Sequence, residues 1–191
     1  MNKLKYKDYV GLALRTESIK KPLNEEVNSL GLNSRLLHAI MGIKTEIDEF
    51  KEAIDKNDEV NALEEIGDMF WYSAIIADEL DIVDELNELF NSKPLIDVSP
   101  VDDVEKLFIK SFDNAKKTLF YGKEFNRKEL LSDVKDLILV LAEYCGEIKY
   151  NVLAVNIAKL QARYPNKFEY DKAVIRDLDK EREILEKGLR G

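Results

Sequence analysis

Residues 34–55 read SRLLHAIMGIKTEIDEFKEAID, and this stretch decides the fold class. Its apolar side chains recur at alternating spacings of four and three residues: Leu36, Ile40, Ile43, Ile47, Phe50 and Ile54. That spacing places them along one side of an amphipathic helix. Asn33 or Ser34 is the predicted N-cap, because side chains of both types accept hydrogen bonds from first-turn amides.

The sequence around this stretch is also helical in pattern. No proline lies between Pro22 and Pro94 or between Pro100 and Pro165, so both windows can hold long unbroken helices. A second helix is predicted after a turn at 56–58. Further helices are predicted over about 83–90, 102–119, 127–145, 150–163 and 170–188. Since no segment alternates with a period of two, the sequence predicts an all-α fold.

The composition restricts the class of protein. A chain of 191 residues with 45% hydrophobic residues can form one domain with a substantial core. The longest uncharged stretches are nine residues, too short to span a bilayer, and no apolar signal core follows the first lysines. The lone Cys145 fits a reducing compartment, so we expect a cytoplasmic protein without a membrane anchor. The net charge of -9 argues against binding to polymeric nucleic acid.

Two short motifs of the first half recur in the second half: Ile43-Lys44-Thr45 as Ile109-Lys110-Ser111, and Glu65-x-x-Asp68 as Asp133-x-x-Asp136. Amphipathic helices resemble one another, so chance and a degenerate duplication both explain these motifs. A duplication predicts one domain over 1–191 with a four-helix core, two helices from each repeat in a pseudo-twofold arrangement, and extra terminal helices. Its predicted parts are repeat one (about 34–91), a connector (92–101), repeat two (about 102–168) and a C-terminal helix (170–188).

Four acidic residues lie on the first two predicted helices, as Glu46-x-x-Glu49 and Glu65-x-x-Asp68. Residues three apart share a helix face, so two antiparallel helices can direct all four carboxylates toward one another. Such a group repels itself unless a cation neutralises it, and oxygen ligands suit Mg²⁺. The alternative is a solvated acidic face, but both pairs border the apolar side of their helix. Gly67, less favourable in a helix than alanine by about 1 kcal/mol, indicates close approach of a neighbouring helix or a ligand.

A second group of polar residues lies on the helix predicted over 150–163. Asn156, Lys159 and Arg163 occupy one face of it, and two cations with an amide suit phosphate oxygens. The alternative is an exposed basic face near a helix C-terminus, where positive charge is favourable. Trp71 and Tyr72 follow the acidic motif, where either ring packs in the core or stacks on a nucleobase.

Taken in order, these motifs resemble the MazG-like all-α nucleoside triphosphate pyrophosphohydrolases. The acidic pairs resemble that family's metal motif, and the segment from Asn156 to Phe168 resembles its C-terminal motif. Two departures stand out: Thr45 replaces a frequent glutamate, and the Phe120–Lys123 turn precedes the second repeat's acidic helix rather than the first's. The chain therefore resembles two fused copies that degenerated in complementary ways, with one composite active site; related duplicated chains include the dimeric-type dUTPases.

The resemblance implies Mg²⁺-dependent hydrolysis of a nucleoside or deoxynucleoside triphosphate to the monophosphate and pyrophosphate, a nucleotide-pool housekeeping reaction. Mn²⁺ is an alternative ion. The implied metal ligands are Glu46, Glu49, Glu65 and Asp68, with Glu49 also chosen as the catalytic residue that orients or deprotonates the attacking water. The predicted substrate-binding residues are Trp71, Asn156, Lys159 and Arg163. Asp133 and Asp136 are either vestigial or a second, weak cation site.

Two other functions stay open at this point. One is a non-catalytic helical interaction protein with a merely acidic surface, and the other is a hydrolase of a different phosphorylated nucleotide, such as an alarmone or a phosphoribosyl nucleotide. The sequence does not choose the base, the sugar, the number of metal ions or the oligomeric state, for which a homodimer is one candidate.

Overall fold

The computed structural model describes residues 3–18, 22–92, 104, 106–166, 168–174 and 177–189. Within them every regular element is helical and no strand occurs, which confirms the predicted all-α fold. The helices are α1 (Tyr6–Ala13), α2 (Glu25–Ser29), α3 (Ser34–Asp55), α4 (Glu59–Glu79), α5 (Val83–Asn91), α6 (Ile109–Tyr121), α7 (Arg127–Cys145), α8 (Lys149–Arg163), α9 (Tyr170–Val174) and α10 (Leu178–Leu189). The predicted connector over 92–101 lies, except for Ser92, outside the described residues.

Helices α3 and α4 form a hairpin, and each begins at a side-chain cap. The Asn33 side chain accepts a hydrogen bond from the Leu36 amide at 3.0 Å, so Asn33 rather than Ser34 is the N-cap of α3. Asp58 caps α4 in the same way, accepting from the Asn61 amide at 3.2 Å. The apolar side of α3 is buried against α4 from Leu36 to Phe50. The hairpin therefore fixes which residues of the two helices face each other.

Helix α4 is the central element of the described structure. It contacts α1, α3, α5, α7, α8 and α10, and most of its side chains are buried. Helix α6, by contrast, has its main contacts with α3 and α7. The pseudo-twofold four-helix core therefore stays a prediction. No helix among the described residues is both long enough and apolar enough to cross a bilayer.

The start of the helix predicted over about 102–119 lies outside the described residues; Val104 is helical, and α6 begins at Ile109 after an interruption. Residues 106–108 form a turn, and a side chain from α7 then accepts hydrogen bonds from the first turn of α6. Asp133 accepts hydrogen bonds from the Ser111 hydroxyl at 2.6 Å and from the Ser111 amide at 3.3 Å. This carboxylate therefore stabilises the first turn of a neighbouring helix.

The single C-terminal helix predicted over 170–188 is wrong, because the structure has two helices there, α9 and α10. Asp177 lies between them in a non-helical conformation, and its carboxylate accepts from the Lys180 amide at 3.1 Å. That hydrogen bond starts a new helix. Leu185 of α10 then packs against Val60 and Val155, which holds α10 against α4 and α8.

A glycine makes close packing within the hairpin possible. A Cβ atom at Gly42 would overlap the ring of Tyr72, so only glycine fits there with the ring in its present place. We expect Gly42→Ala to lower the free energy of unfolding by about 1–3 kcal/mol, because overpacking outweighs the better helix propensity of alanine. Thermal unfolding followed by circular dichroism should show a Tm lower by roughly 2–12 °C.

The matched control is Gly11→Ala on α1. Nothing lies within 4 Å of a Cβ atom at Gly11, so alanine should raise the free energy of unfolding by up to about 1 kcal/mol. A Gly42→Ala variant that unfolds at or above the wild-type temperature would contradict the tight contact with Tyr72.

Candidate functional site

Three carboxylates from the two helices of the hairpin meet at one place. Glu46 and Glu49 lie one turn apart on α3, and Glu65 lies on the facing side of α4. One oxygen of each can be chosen so that all three lie within 4.8 Å of one another. Among the described residues, this is the one group of three acidic, cysteine or histidine side chains close enough to hold a metal ion. The structure thus brings together three of the four predicted ligands.

The charges of this group oppose one another. Burial, followed by the charge of nearby Asp68, raises the pKa of Glu46, and the same two causes raise the pKa of Glu65. The two carboxyl groups also share a hydrogen bond, which requires a proton on one of them. Without a cation, the group therefore retains a proton where isolated glutamates would be ionised.

Asp68, the fourth predicted ligand, has protein partners of its own. Its carboxylate accepts from the Asn156 amide nitrogen at 2.7 Å and from the Lys159 ammonium at 2.6 Å. Lys159 also donates to Glu64 at 3.1 Å. The charge of Asp68 is therefore partly compensated, whereas no cationic partner of Glu46, Glu49 or Glu65 is found within the described residues.

Asn156 and Lys159 lie elsewhere than the sequence predicts. Both side chains are buried, with 3% and 0% of the residue surface exposed. They form hydrogen bonds with Asp68 but do not line the cleft. Gly67 explains this placement, since a Cβ atom there would lie 3.1 Å from the Asn156 side chain and α8 can approach α4 closely. Burial alone would lower the pKa of Lys159, but its two carboxylate partners raise it, so the ammonium stays charged.

The three acids border a cleft of about 770 Å³, a volume within the usual range for small-molecule sites. Its lining is strongly acidic: Glu46, Glu49, Glu64, Glu65, Asp68, Asp179 and Glu181. Aromatic side chains line it as well, among them Trp71, Tyr72, Tyr164 and Phe168. An anionic ligand could enter such a cleft only with a cation between it and the acids.

Trp71, predicted to bind substrate, is held at the wall of this cleft. Its indole nitrogen donates to the Thr16 hydroxyl at 2.9 Å and lies 3.1 Å from the Ala13 carbonyl. Its ring also contacts His38 and Tyr72 edge to face. The ring is therefore both a packing element and a part of the cleft surface.

Arg163 is the predicted phosphate-binding residue that the structure places in the cleft lining. Its guanidinium forms a two-pronged ion pair with Glu181 of α10, with the Nε to Oε1 distance at 2.8 Å. Arg182, the other arginine of the lining, pairs with Asp58 at 3.1 Å. Both cations therefore lie in the cleft with acidic partners from neighbouring helices.

Several residues of the site are not predicted by the sequence patterns. Glu181 and Arg182 belong to a charged tail whose packing cannot be read from helical spacing alone. Tyr9, whose hydroxyl donates to the Asn156 side-chain oxygen at 2.8 Å, lies on α1, for which no helix was predicted. The signal was present, since Tyr6, Tyr9 and Ala13 are spaced as one buried helix face.

Asp133 and Asp136, the acidic residues of the predicted second repeat, have a different environment. Asp133 is engaged by Ser111, as described above, and burial followed by the charge of Asp133 raises the pKa of Asp136. No third acidic side chain joins them within the part of the chain that the structure describes. A structural role for Asp133 therefore accounts for its contacts.

The raised pKa values predict how stability depends on pH. Glu46 and Glu65 hold a proton more strongly in the folded state, so above about pH 4.3 these two groups bind more protons in the folded chain than in the unfolded chain. This pair should therefore make the metal-free protein less stable as pH rises from about 5 to 8. Glu46→Gln should flatten that decline and raise Tm at pH 8, measured by thermal unfolding in a chelating buffer.

Glu52→Gln is the control for this experiment, since Glu52 lies on the same helix but forms an exposed pair with Lys56. The plot of Tm against pH for this variant should run parallel to that of the wild-type protein. A Glu46→Gln curve that is equally parallel would mean that Glu46 titrates like an ordinary surface acid.

Comparison of the chain with protein families, with curated proteins and with solved structures found no match. The chemistry of the cleft therefore has to be inferred from its own residues.

Proposed function

We propose that the chain is a Mg²⁺-dependent pyrophosphohydrolase that converts a nucleoside or deoxynucleoside triphosphate to the monophosphate and pyrophosphate. The observation that carries this proposal is the convergence of Glu46, Glu49 and Glu65 on the wall of a cleft of small-molecule size. The proposed setting is nucleotide-pool housekeeping in the cytoplasm, with free nucleotides as substrates.

The residues of the centre fit a hard divalent cation. All three donors are carboxylates, the ligand type that Mg²⁺ and Mn²⁺ prefer, and their mutual repulsion would be relieved by a positive ion. A bound Mg²⁺ would neutralise phosphate charge and lower the pKa of a bound water. Asp68 lies beside the group and contributes further negative charge.

The three acids differ in exposure, and this suggests different roles. Glu65 is buried and Glu46 is half-buried, so both serve best as fixed ligands. Glu49 is exposed to the cleft, where its carboxylate can reach a water molecule that attacks a phosphate. We therefore assign Glu49 the additional role of orienting that water and accepting its proton.

Other residues of the cleft lining can supply the further contacts that a nucleotide needs. Arg163 and Arg182 would bind phosphate oxygens once these displace their present carboxylate partners. Trp71 offers an aromatic surface for a nucleobase. Asn156 and Lys159 take part indirectly, by holding Asp68 in place.

The test is a pyrophosphate-release assay with the four ribonucleoside and four deoxyribonucleoside triphosphates, with and without Mg²⁺. Release that requires Mg²⁺ and leaves the monophosphate supports the proposal. Mg²⁺ binding without release from any triphosphate would favour another phosphorylated nucleotide, to be sought with alarmones and phosphoribosyl nucleotides. Absence of both binding and release would favour a helical interaction protein. Size-exclusion chromatography with light scattering would show whether the active species is a homodimer.

A further inference from the structure

A chain of hydrogen bonds leads from α1 to Asp68, which lies beside the acidic centre formed by Glu46, Glu49 and Glu65. The Tyr9 hydroxyl donates to the Asn156 side-chain oxygen at 2.8 Å, and the Asn156 amide nitrogen donates to Asp68 at 2.7 Å. Tyr9 is fully buried and Asn156 is 3% exposed, so water cannot replace either partner. The Tyr9 hydroxyl also lies 3.3 Å from the Gly67 carbonyl oxygen, so Tyr9 contacts both Asn156 and the backbone next to Asp68.

The direction of these hydrogen bonds follows from the donor and acceptor groups. An ionised carboxylate only accepts, so Asn156 must direct its amide nitrogen toward Asp68 and its oxygen away from it. The outward oxygen then needs a donor, and the Tyr9 hydroxyl supplies it. Burial, followed by the charge of Asp68, raises the pKa of Tyr9, so the hydroxyl keeps its proton. Tyr9 thus determines which end of the Asn156 amide faces Asp68.

We propose that Tyr9 is a positioning residue that acts through Asn156 to hold the Asp68 carboxylate beside the metal-binding acids. The proposal rests on the proposed function, because it takes Glu46, Glu49 and Glu65 to bind Mg²⁺. Without the hydroxyl, the Asn156 oxygen loses its donor and the amide can rotate, which turns an acceptor toward Asp68. The carboxylate then loses its fixed position, and the affinity of the centre for Mg²⁺ falls.

The chain offers a matched control on the same helix. Tyr6 is also fully buried on α1, and its hydroxyl forms a 2.7 Å hydrogen bond with Ser73 rather than with the acidic centre. Tyr6→Phe and Tyr9→Phe therefore each remove one buried hydroxyl from α1. Only Tyr9→Phe should alter metal binding.

The experiment measures Mg²⁺ binding to the full chain by isothermal titration calorimetry. Tyr9→Phe should raise the Kd for Mg²⁺ by about tenfold, the lower end of the loss typical for a direct partner of a metal ligand, because Tyr9 acts through Asn156 and Asp68. Tyr6→Phe should leave the Kd within about twofold of wild type. Equal Kd values for Tyr9→Phe and wild type, or equal losses in both variants, would overturn the proposal.

A double-mutant cycle separates positioning from a general loss of order. If Tyr9 acts through Asp68, then Tyr9→Phe should change the Kd little in an Asp68→Asn background. If Tyr9→Phe raises the Kd for Mg²⁺ as much in that background as in the wild-type chain, the proposed action through Asp68 is overturned. If Tyr9→Phe does not fold, Gly67→Ala provides the same test, because its methyl group would displace Asn156 while Tyr9 stays intact.

Wild-type binding separates this proposal from the proposed function. No Mg²⁺ binding to the wild-type chain would overturn both. Mg²⁺ binding with the predicted Tyr9 dependence but without pyrophosphate release would overturn the proposed reaction and support the positioning role.

Discussion

Glu49→Gln is expected to lower the rate of pyrophosphate release by at least about a hundredfold. The substitution removes a charged ligand and the group assigned to accept the proton of the attacking water, and general-base catalysis alone typically contributes about two to four orders of magnitude. The same variant should lose most of the increase in Tm that millimolar Mg²⁺ gives the wild-type chain. Its metal-free form should be at least as stable as wild type, because one negative charge has left a repulsive group.

Single-turnover kinetics and thermal unfolding with and without Mg²⁺ measure both effects. Glu52→Gln is the matched control, since it makes the same chemical change one turn further along α3 in an exposed ion pair. It should leave rate and Mg²⁺ response near wild type. An unchanged Mg²⁺ response in Glu49→Gln would remove the basis for a metal centre at this place.

Lys159→Met is expected to cause the largest loss of stability, about 3 kcal/mol. Methionine retains the volume of the buried side chain but removes both charge-assisted hydrogen bonds, to Asp68 and to Glu64. The two carboxylates are partly exposed, with 24% and 13% of their side-chain surface accessible, so water relieves some of the cost. The expected decrease in Tm is roughly 6–12 °C.

Chemical denaturation by urea gives the free energy directly. Gln161→Ala, an exposed position two residues further along α8, should change it by less than about 0.5 kcal/mol. A Lys159→Met protein as stable as wild type would show that Asp68 and Glu64 do not depend on the lysine.

Helical periodicity predicts that the three acids meet because they lie in one hairpin, whose helix faces are determined by local spacing in the sequence. The spacing of Leu36 to Phe50 identifies the buried side of α3, and that side determines where Glu46 and Glu49 lie. The short turn after α3 then brings Glu65 to face them. Three acids could thus be placed together from the sequence of a single hairpin.

The other half of the site could not be predicted in this way. Periodicity placed Asn156 and Lys159 on one face of α8 but did not reveal that this face packs against Gly67 of α4. The spacing of these polar and charged residues predicts a phosphate-binding surface, whereas the Asn156 and Lys159 side chains are buried against Asp68. Which helix lies against which is decided by contacts between distant segments, and one sequence alone does not specify them.

The long hydrogen-bonded path from α1 to α4 also bears on how the protein folds. The three acids come from one hairpin, whereas Tyr9 and Asn156 are 147 residues apart in the chain. Closing a short loop costs less conformational entropy than closing a long one, so the hairpin can form before α1 and α8 dock on it. The acids would then meet while Asp68 still lacks its partners, and their repulsion would oppose folding at that step. A divalent cation that binds there would therefore speed refolding as well as slow unfolding.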